Sequence, residues 1–194
     1  MGIKKGANSE REMSKFLSLW ASEGEHDDWI WRTAGSGARA TQRTKQGLST
    51  YNSYGDFFAL NPIAQPLFDL AVWENKKGYT KETEIISLID KSKRKKEHIL
   101  IEWSKKNEKT RRESGAYESF IIVERDRRKP FILVSDRLLH TAQTFVGYYI
   151  NPMIVFSDAV TGIRLNILNL EDFLTYLSFE DVKEILNMYR EGKA

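Results

Sequence analysis

The stretch Tyr54-Gly55-Asp56-Phe57-Phe58-Ala59-Leu60, followed by Asn61-Pro62 through Pro66 and then Phe68-Asp69-Leu70-Ala71-Val72-Trp73-Glu74-Asn75-Lys76, decides the fold. Two apolar runs flank a segment punctuated by prolines. This predicts strands over 54–60 and 68–76 joined as a hairpin. Side chains alternate along a strand, so Glu74 and Lys76 share a face. A hairpin would bring Asp56 to the same sheet end, while the parity of Asp69 turns it to the other face. Two carboxylates and one ammonium on one face make a small site for a hard divalent cation and a positioned water.

Working outward, Ser9-Glu10-Arg11-Glu12 reads as a capping box, and Met13, Phe16, Leu17 and Trp20 follow at helical spacing. Gly24 ends that helix, and Asp28–Arg32 is dense in strand formers. A polar stretch opens at Gly35-Ser36-Gly37 and runs to Ser53; it is long for a structureless loop, which points to a functional or mobile segment. Lys81 to about Glu113 is helical in character, with a break near Lys93. Strand pairs are expected at 119–124 with 130–135 and at 153–156 with 163–167. Helices are expected over 170–177 and 182–189. This order fits an α/β fold with a mixed central β-sheet flanked by helices.

The 194 residues suit one domain, 41% hydrophobic and 29% charged, as in a globular chain. With no cysteine and three scattered histidines, disulfides, thiolate nucleophiles and zinc sites of those ligands are excluded or disfavoured. No apolar run reaches the roughly 18 residues of a membrane span, and the N-terminus lacks a signal core. No membrane partner and a cytoplasmic location are therefore expected. Net charge is only +3, but its distribution is uneven. Between Lys91 and Arg112 ten basic residues face three acids, a local balance of +7. Within that segment Lys93, Arg94, Lys95 and Lys96 form a run, and Arg39, Arg43 and Lys45 form a second basic stretch without an acid. Either can track phosphates or form a solvated face.

Cutting a phosphodiester needs a nucleophilic water, charge relief at the phosphate and help for the leaving oxygen. Mg²⁺ suits this, since it takes carboxylate oxygens and keeps water; Mn²⁺ can substitute. Asp56 and Glu74 are the candidate ligands, with the main-chain carbonyl of Asn75 as a third oxygen. Lys76 would orient or activate water, or hold the phosphate. The plainer reading is a charged pair on a solvated strand, against which the apolar run before Glu74 weighs. Glu10 lies on the core-facing side of the first helix, where it either serves a cation or answers the helix dipole. Arg11 and Arg32 are surface charges or phosphate clamps. Trp29, Trp31, Trp73 and Trp103 read as packing. Tyr51 and Tyr54 are candidates for base stacking, and Tyr148-Tyr149-Ile150 reads as core or dimer interface.

In this order the pieces resemble a known family. Lys5-Gly6-Ala7-Asn8-Ser9-Glu10-Arg11-Glu12 and Arg32-Thr33-Ala34-Gly35-Ser36-Gly37 are similar to the opening helix and following strand and loop of archaeal-type Holliday junction resolvases. Gly55-Asp56 and Glu74-Asn75-Lys76 match the signature of the PD-(D/E)XK nuclease superfamily. The resemblance implies a restriction-endonuclease-like core over about 5–177, with a helical extension over 178–194. It implies Asp56 and Glu74 as metal ligands, Lys76 as the catalytic lysine and Glu10 as an accessory acid. Arg11, Arg32 and Ser36 would contact DNA. A homodimer would cut opposed strands of a four-way junction. Gly55 stands where the family has proline, and the segments 37–56 and 56–74 are longer than the family pattern. These departures leave open a duplex- or branched-DNA nuclease of the same superfamily, or a DNA-binding scaffold without turnover.

Overall fold

A computed structural model describes residues 3–33, 54–79, 83–84, 97–147, 149–157 and 162–193. Helix α1 spans Ile3–Ala21. Met13, Leu17 and Ala21, four apart, are buried, and so are Ser14 and Ser18 beside them. The Ser18 hydroxyl donates to the Ser14 carbonyl at 2.8 Å and accepts the Ile30 N–H at 2.9 Å, which seats strand β1 (Ile30–Arg32) on the helix. Gly24, at φ +92°, closes the helix by donating to the Leu19 carbonyl at 2.7 Å.

The capping box expected at Ser9 is absent. The helix begins earlier, and Ser9 is 1% exposed with its hydroxyl donating to Glu124 on a distant strand. A long-range acceptor has displaced the local one. Phe16 also departs from the expected stripe and is exposed, as is Trp31.

Strand β2 (Phe57–Ala59) pairs antiparallel with β1, Trp31 opposite Phe58. It is not one arm of a hairpin with 68–76. The chain instead makes a 3-10 turn at Pro62–Ala64, capped by the Asn61 side chain, and then helix α2 (Gln65–Leu70). Ala64, Leu67 and Leu70, at i, i+3 and i+6, are buried at 1% or less. That burial decides between helix and strand, at about 1.5–3 kcal/mol for each leucine. Asp69 consequently sits on a helix, bonded to Gln65 and Arg190 at 2.8 Å each.

Strand β3 (Ala71–Lys77) follows directly. Helix α3 (Ile99–Ser114) is capped by the His98 side chain and closed by Gly115 at φ +77°, and it leads into β4 (Glu118–Glu124). The two strands are parallel, with Glu74 opposite Ile121 and Lys76 opposite Val123, so α3 lies within their crossover connection. Strand β5 (Phe131–Val134) pairs antiparallel with β4, as expected. Ser135 caps a short helix α4 (Asp136–Thr141) that the sequence did not announce. Strands β6 (Ile154–Ser157) and β7 (Arg164–Asn169) form the second expected pair. Helices α5 (Leu170–Tyr176) and α6 (Phe179–Arg190) close the chain.

The five-stranded sheet has the order β3-β4-β5-β7-β6, mixed in direction, with β3 at one edge. One face carries Phe120, Ile122, Ile132 and Val134 against α1, α2, α5 and α6. The other carries Ile121, Val123, Leu133, Leu165 and Ile167 against Leu100 and Ile101 of α3. Register and parity therefore put Glu74 and Lys76 on the α3 side of the edge strand and Asn75 on the α1 side. An α/β fold with a mixed sheet between helices is the architecture expected from the sequence. Among the described residues no helix is long and apolar enough to cross a membrane.

Candidate active site

Asp56 reaches β3 by a route that depends on glycine. Gly55 adopts φ +79°, and a Cβ there would lie 2.6 Å from the Trp73 carbonyl oxygen. The Asp56 N–H donates to that same carbonyl at 2.8 Å, and the Asp56 carbonyl accepts from Thr33 N–H at 2.8 Å. The residue is thus clamped between β3 and the end of β1. The residue is 7% exposed, and its carboxylate Oδ2 accepts the Asn75 main-chain N–H at 2.8 Å.

Lys76 stands beside both acids of the expected pair. Its Nζ donates to Glu74 Oε2 and lies 4.0 Å from Asp56 Oδ2. Burial works to depress the Lys76 pKa, but the Glu74 and Asp56 carboxylates outweigh it and hold the amine above its ordinary value. The ammonium is therefore firmly charged at neutral pH. Asp56 and Glu74 both approach the Lys76 ammonium.

Glu10 comes from α1. Its Oε2 accepts from Arg32 Nη1 at 3.2 Å, with both side chains about one-quarter exposed. Burial raises its pKa, and the neighbouring Asp56 charge raises it further; Arg32 and Lys76 pull the other way without cancelling the shift. Glu10 thus feels Asp56 as a like charge while facing Arg32. Three carboxylates and two cations gather here. Among the described residues no three His, Cys, Asp or Glu side chains converge tightly enough to hold a metal ion by themselves. The donor set that fits a hard cation is the Asp56–Glu74 pair.

Of the other residues singled out in the sequence, Arg11 is exposed on α1 and lies outside this group of contacts. Ser36, Arg39, Arg43, Lys45, Lys93, Arg94, Lys95 and Lys96 lie outside the described residues, as do Tyr51 and Tyr148. Ile150 is buried while Tyr149 is 65% exposed, which divides the expected apolar run between core and surface. A cavity of about 510 Å³ between α3 and the sheet is lined by Lys105, Lys109, Arg112, Ile121, Leu133 and Arg164 among others. It contains none of Asp56, Glu74 or Lys76, and Glu108 is the one carboxylate among the described residues of its lining. Sequence reasoning passed over Glu124 as a strand end; only the folded chain brings it to Asn75 Nδ2, at 2.7 Å.

The chain matches the family described as "Phage putative PDDEXK endonuclease" over residues 3–184. It belongs to that family. Membership places the chain in the PD-(D/E)XK nuclease superfamily, whose members generally use divalent metals. The match is to a phage endonuclease family and not to the archaeal-type resolvases in particular. No curated protein and no solved structure matches the chain.

Proposed function

We propose that the chain is a divalent-metal-dependent, structure-selective DNA endonuclease that acts as a homodimer and makes paired nicks in four-way junctions. One observation carries the chemistry: the carboxylates of Asp56 and Glu74 bracket the Lys76 ammonium within 4.0 Å. A buried and a half-buried carboxylate held that way around one ammonium can also take a hard dication between them. Asp56, Glu74 and the Asn75 carbonyl would hold Mg²⁺, or Mn²⁺ in its place. When bound, the ion supplies charge relief at the phosphate and a more acidic water.

The chain's own residues do the rest. Lys76 Nζ orients the attacking water or holds a non-bridging phosphate oxygen. Arg32, tied to Glu10, stands ready to turn toward a phosphate, and Glu10 adds negative charge at the edge of the cation site. Basic side chains at Arg11, Arg39, Arg43, Lys45 and Lys93–Lys96, with the Ser36 hydroxyl, would contact the sugar-phosphate backbone. Such contacts carry affinity without sequence information, which suits recognition of shape.

The family match favours a second reading, a phage DNA-processing endonuclease that cuts linear or branched duplex. A panel of linear duplex, flap, splayed and four-way substrates with Mg²⁺ or Mn²⁺ separates the two. Symmetric nicks in the junction, lost in Asp56→Asn, support the first. Equal cutting of linear duplex removes junction selectivity and leaves the second. Intact substrates throughout, at saturating protein, overturn both.

A further inference from the structure

Behind the acids lies a cluster of polar side chains that the chemistry above does not use. Asn75 is 8% exposed and, by parity, points away from Glu74 and Lys76. Its Nδ2 donates to Glu124 Oε1 at 2.7 Å and to the Ser9 hydroxyl at 3.0 Å. The Ser9 hydroxyl in turn donates to the same Glu124 oxygen. The other oxygen, Oε2, faces Lys77 Nζ at 3.3 Å. Elements α1, β3 and β4 therefore meet on one carboxylate. Bonds to an ionised acceptor are about twice as strong as neutral ones, so this junction is stiff.

Each member adjoins a residue of the proposed site. Ser9 precedes Glu10. Asn75 separates Glu74 from Lys76, and its main-chain N–H donates to Asp56 Oδ2 at 2.8 Å. Fixing the Asn75 side chain from behind fixes the direction of that N–H in front. Joining β3 to β4 does not itself call for this arrangement, because an apolar pair could do it without a half-buried carboxylate. What the polar group adds is orientation.

We infer that Glu124 is a positioning residue for the Asp56–Glu74–Lys76 site, acting through Asn75 on the Asp56 carboxylate. Ser9 keys the register of α1, and with it the place of Glu10, to the same acid. This rests on the reading of that site as a cation-binding nuclease centre. Partners one step behind metal ligands typically change metal affinity about 10–100-fold when removed.

The test compares wild type, Glu124→Ala, Glu124→Gln, Asn75→Ala and Asp56→Asn. The readouts are Mn²⁺ binding by calorimetry, the residue-75 amide resonance in nitrogen-15 spectra, and the unfolding temperature. Glu124→Ala and Asn75→Ala are expected to bind Mn²⁺ roughly 10–100-fold more weakly. Their residue-75 amide proton should move upfield as its bond to Asp56 loosens. Glu124→Gln keeps a carbonyl oxygen for the Asn75 and Ser9 donors but loses the charge that faces Lys77, and is expected to fall between wild type and Glu124→Ala. A purely structural role would instead lower the unfolding temperature of Glu124→Ala and leave metal affinity and the amide unmoved in the folded protein; that result overturns the inference. A Glu124→Gln variant as impaired as Glu124→Ala overturns it too. Should Glu124→Ala not fold, Asn75→Ala and Ser9→Ala carry the comparison, with unchanged affinity and amide as the overturning result. If wild type takes up no Mn²⁺, the nuclease reading fails, and the residue-75 amide alone still decides the positioning.

Discussion

Gly55 lies against Trp73 so closely that a methyl group on it would stand 2.6 Å from the Trp73 carbonyl oxygen, the same oxygen that accepts the Asp56 N–H. The atom in the way is main chain, in a strand paired on its other side, so it cannot swing aside. The φ of +79° adds strain for any side chain. Gly55→Ala is expected to cost roughly 1–3 kcal/mol in denaturant unfolding. Because Asp56 follows directly, the folded fraction should also lose cleavage. A variant with wild-type stability and turnover would show that Asp56 does not depend on this close approach.

The roles of Glu74 and Lys76 separate by charge. Glu74→Gln removes a cation ligand and a negative charge from beside the phosphate. Cleavage should vanish while junction binding stays equal or tightens. Lys76→Ala should slow single-turnover cleavage by about 10²–10⁴-fold, the range for a lost proton-transfer or orienting group, with a smaller effect on affinity. Near wild-type turnover in either variant would remove these residues from the site.

Parts of this arrangement are legible in the sequence, and the reason lies in distance along the chain. The β4–β5 and β6–β7 pairs can be read because each joins two apolar runs across a short charged or glycine-containing turn. Glu74 and Lys76 can be placed on one face because strand parity is local. What the sequence conceals is partnership. Phe68 to Trp73 reads as one apolar strand, yet it divides at Leu70 into the end of a six-residue helix and the start of β3, and six residues are too few to display helical periodicity. Asp56 meets β3 through its N–H bond to the Trp73 carbonyl, the Asn75 N–H bond to its carboxylate and the close approach of Gly55, not through a hairpin ladder. Ser9 looks like a cap because its true acceptor, Glu124, is 115 residues away.

Glu10 offers a pH test with a definite sign. Its folded-state pKa is raised above 4.5 by burial first and then by Asp56, with Arg32 only partly compensating. A carboxyl whose pKa rises on folding contributes stability while protonated, and loses that contribution as pH climbs through the folded value. At neutral pH the ionised Glu10 therefore burdens the metal-free fold. Glu10→Gln should raise the unfolding temperature at neutral pH in chelator-treated protein, and the gain should disappear below about pH 4.5. A lower unfolding temperature at neutral pH would mean that the Arg32 ion pair outweighs burial and repulsion. Divalent cation added to wild type should shrink the difference, since it offsets the same repulsion.

Tyr189 of α6 provides a control away from the acids. Its hydroxyl donates at 2.6 Å to Glu118, which is 1% exposed and also accepts from Ser135 at 2.6 Å and Arg137 at 2.9 Å. Glu118 pairs with Ala71, at the opposite end of β3 from Lys76. Burial, and then the Glu118 charge, push the Tyr189 pKa well above its ordinary value. The hydroxyl therefore stays protonated through neutral pH and contributes until strongly alkaline conditions. Tyr189→Phe keeps the ring stacked on Tyr117 and removes one bond to a charged acceptor. Since Glu118 keeps two other donors, the loss should fall at the lower end of the roughly 1.5–3 kcal/mol such bonds contribute. The deficit should be constant from neutral pH to about 9, below the ordinary tyrosine range. Cleavage per folded molecule should not change, and a fall in turnover without a fall in stability would mean that the α6 contact reaches the site at β3.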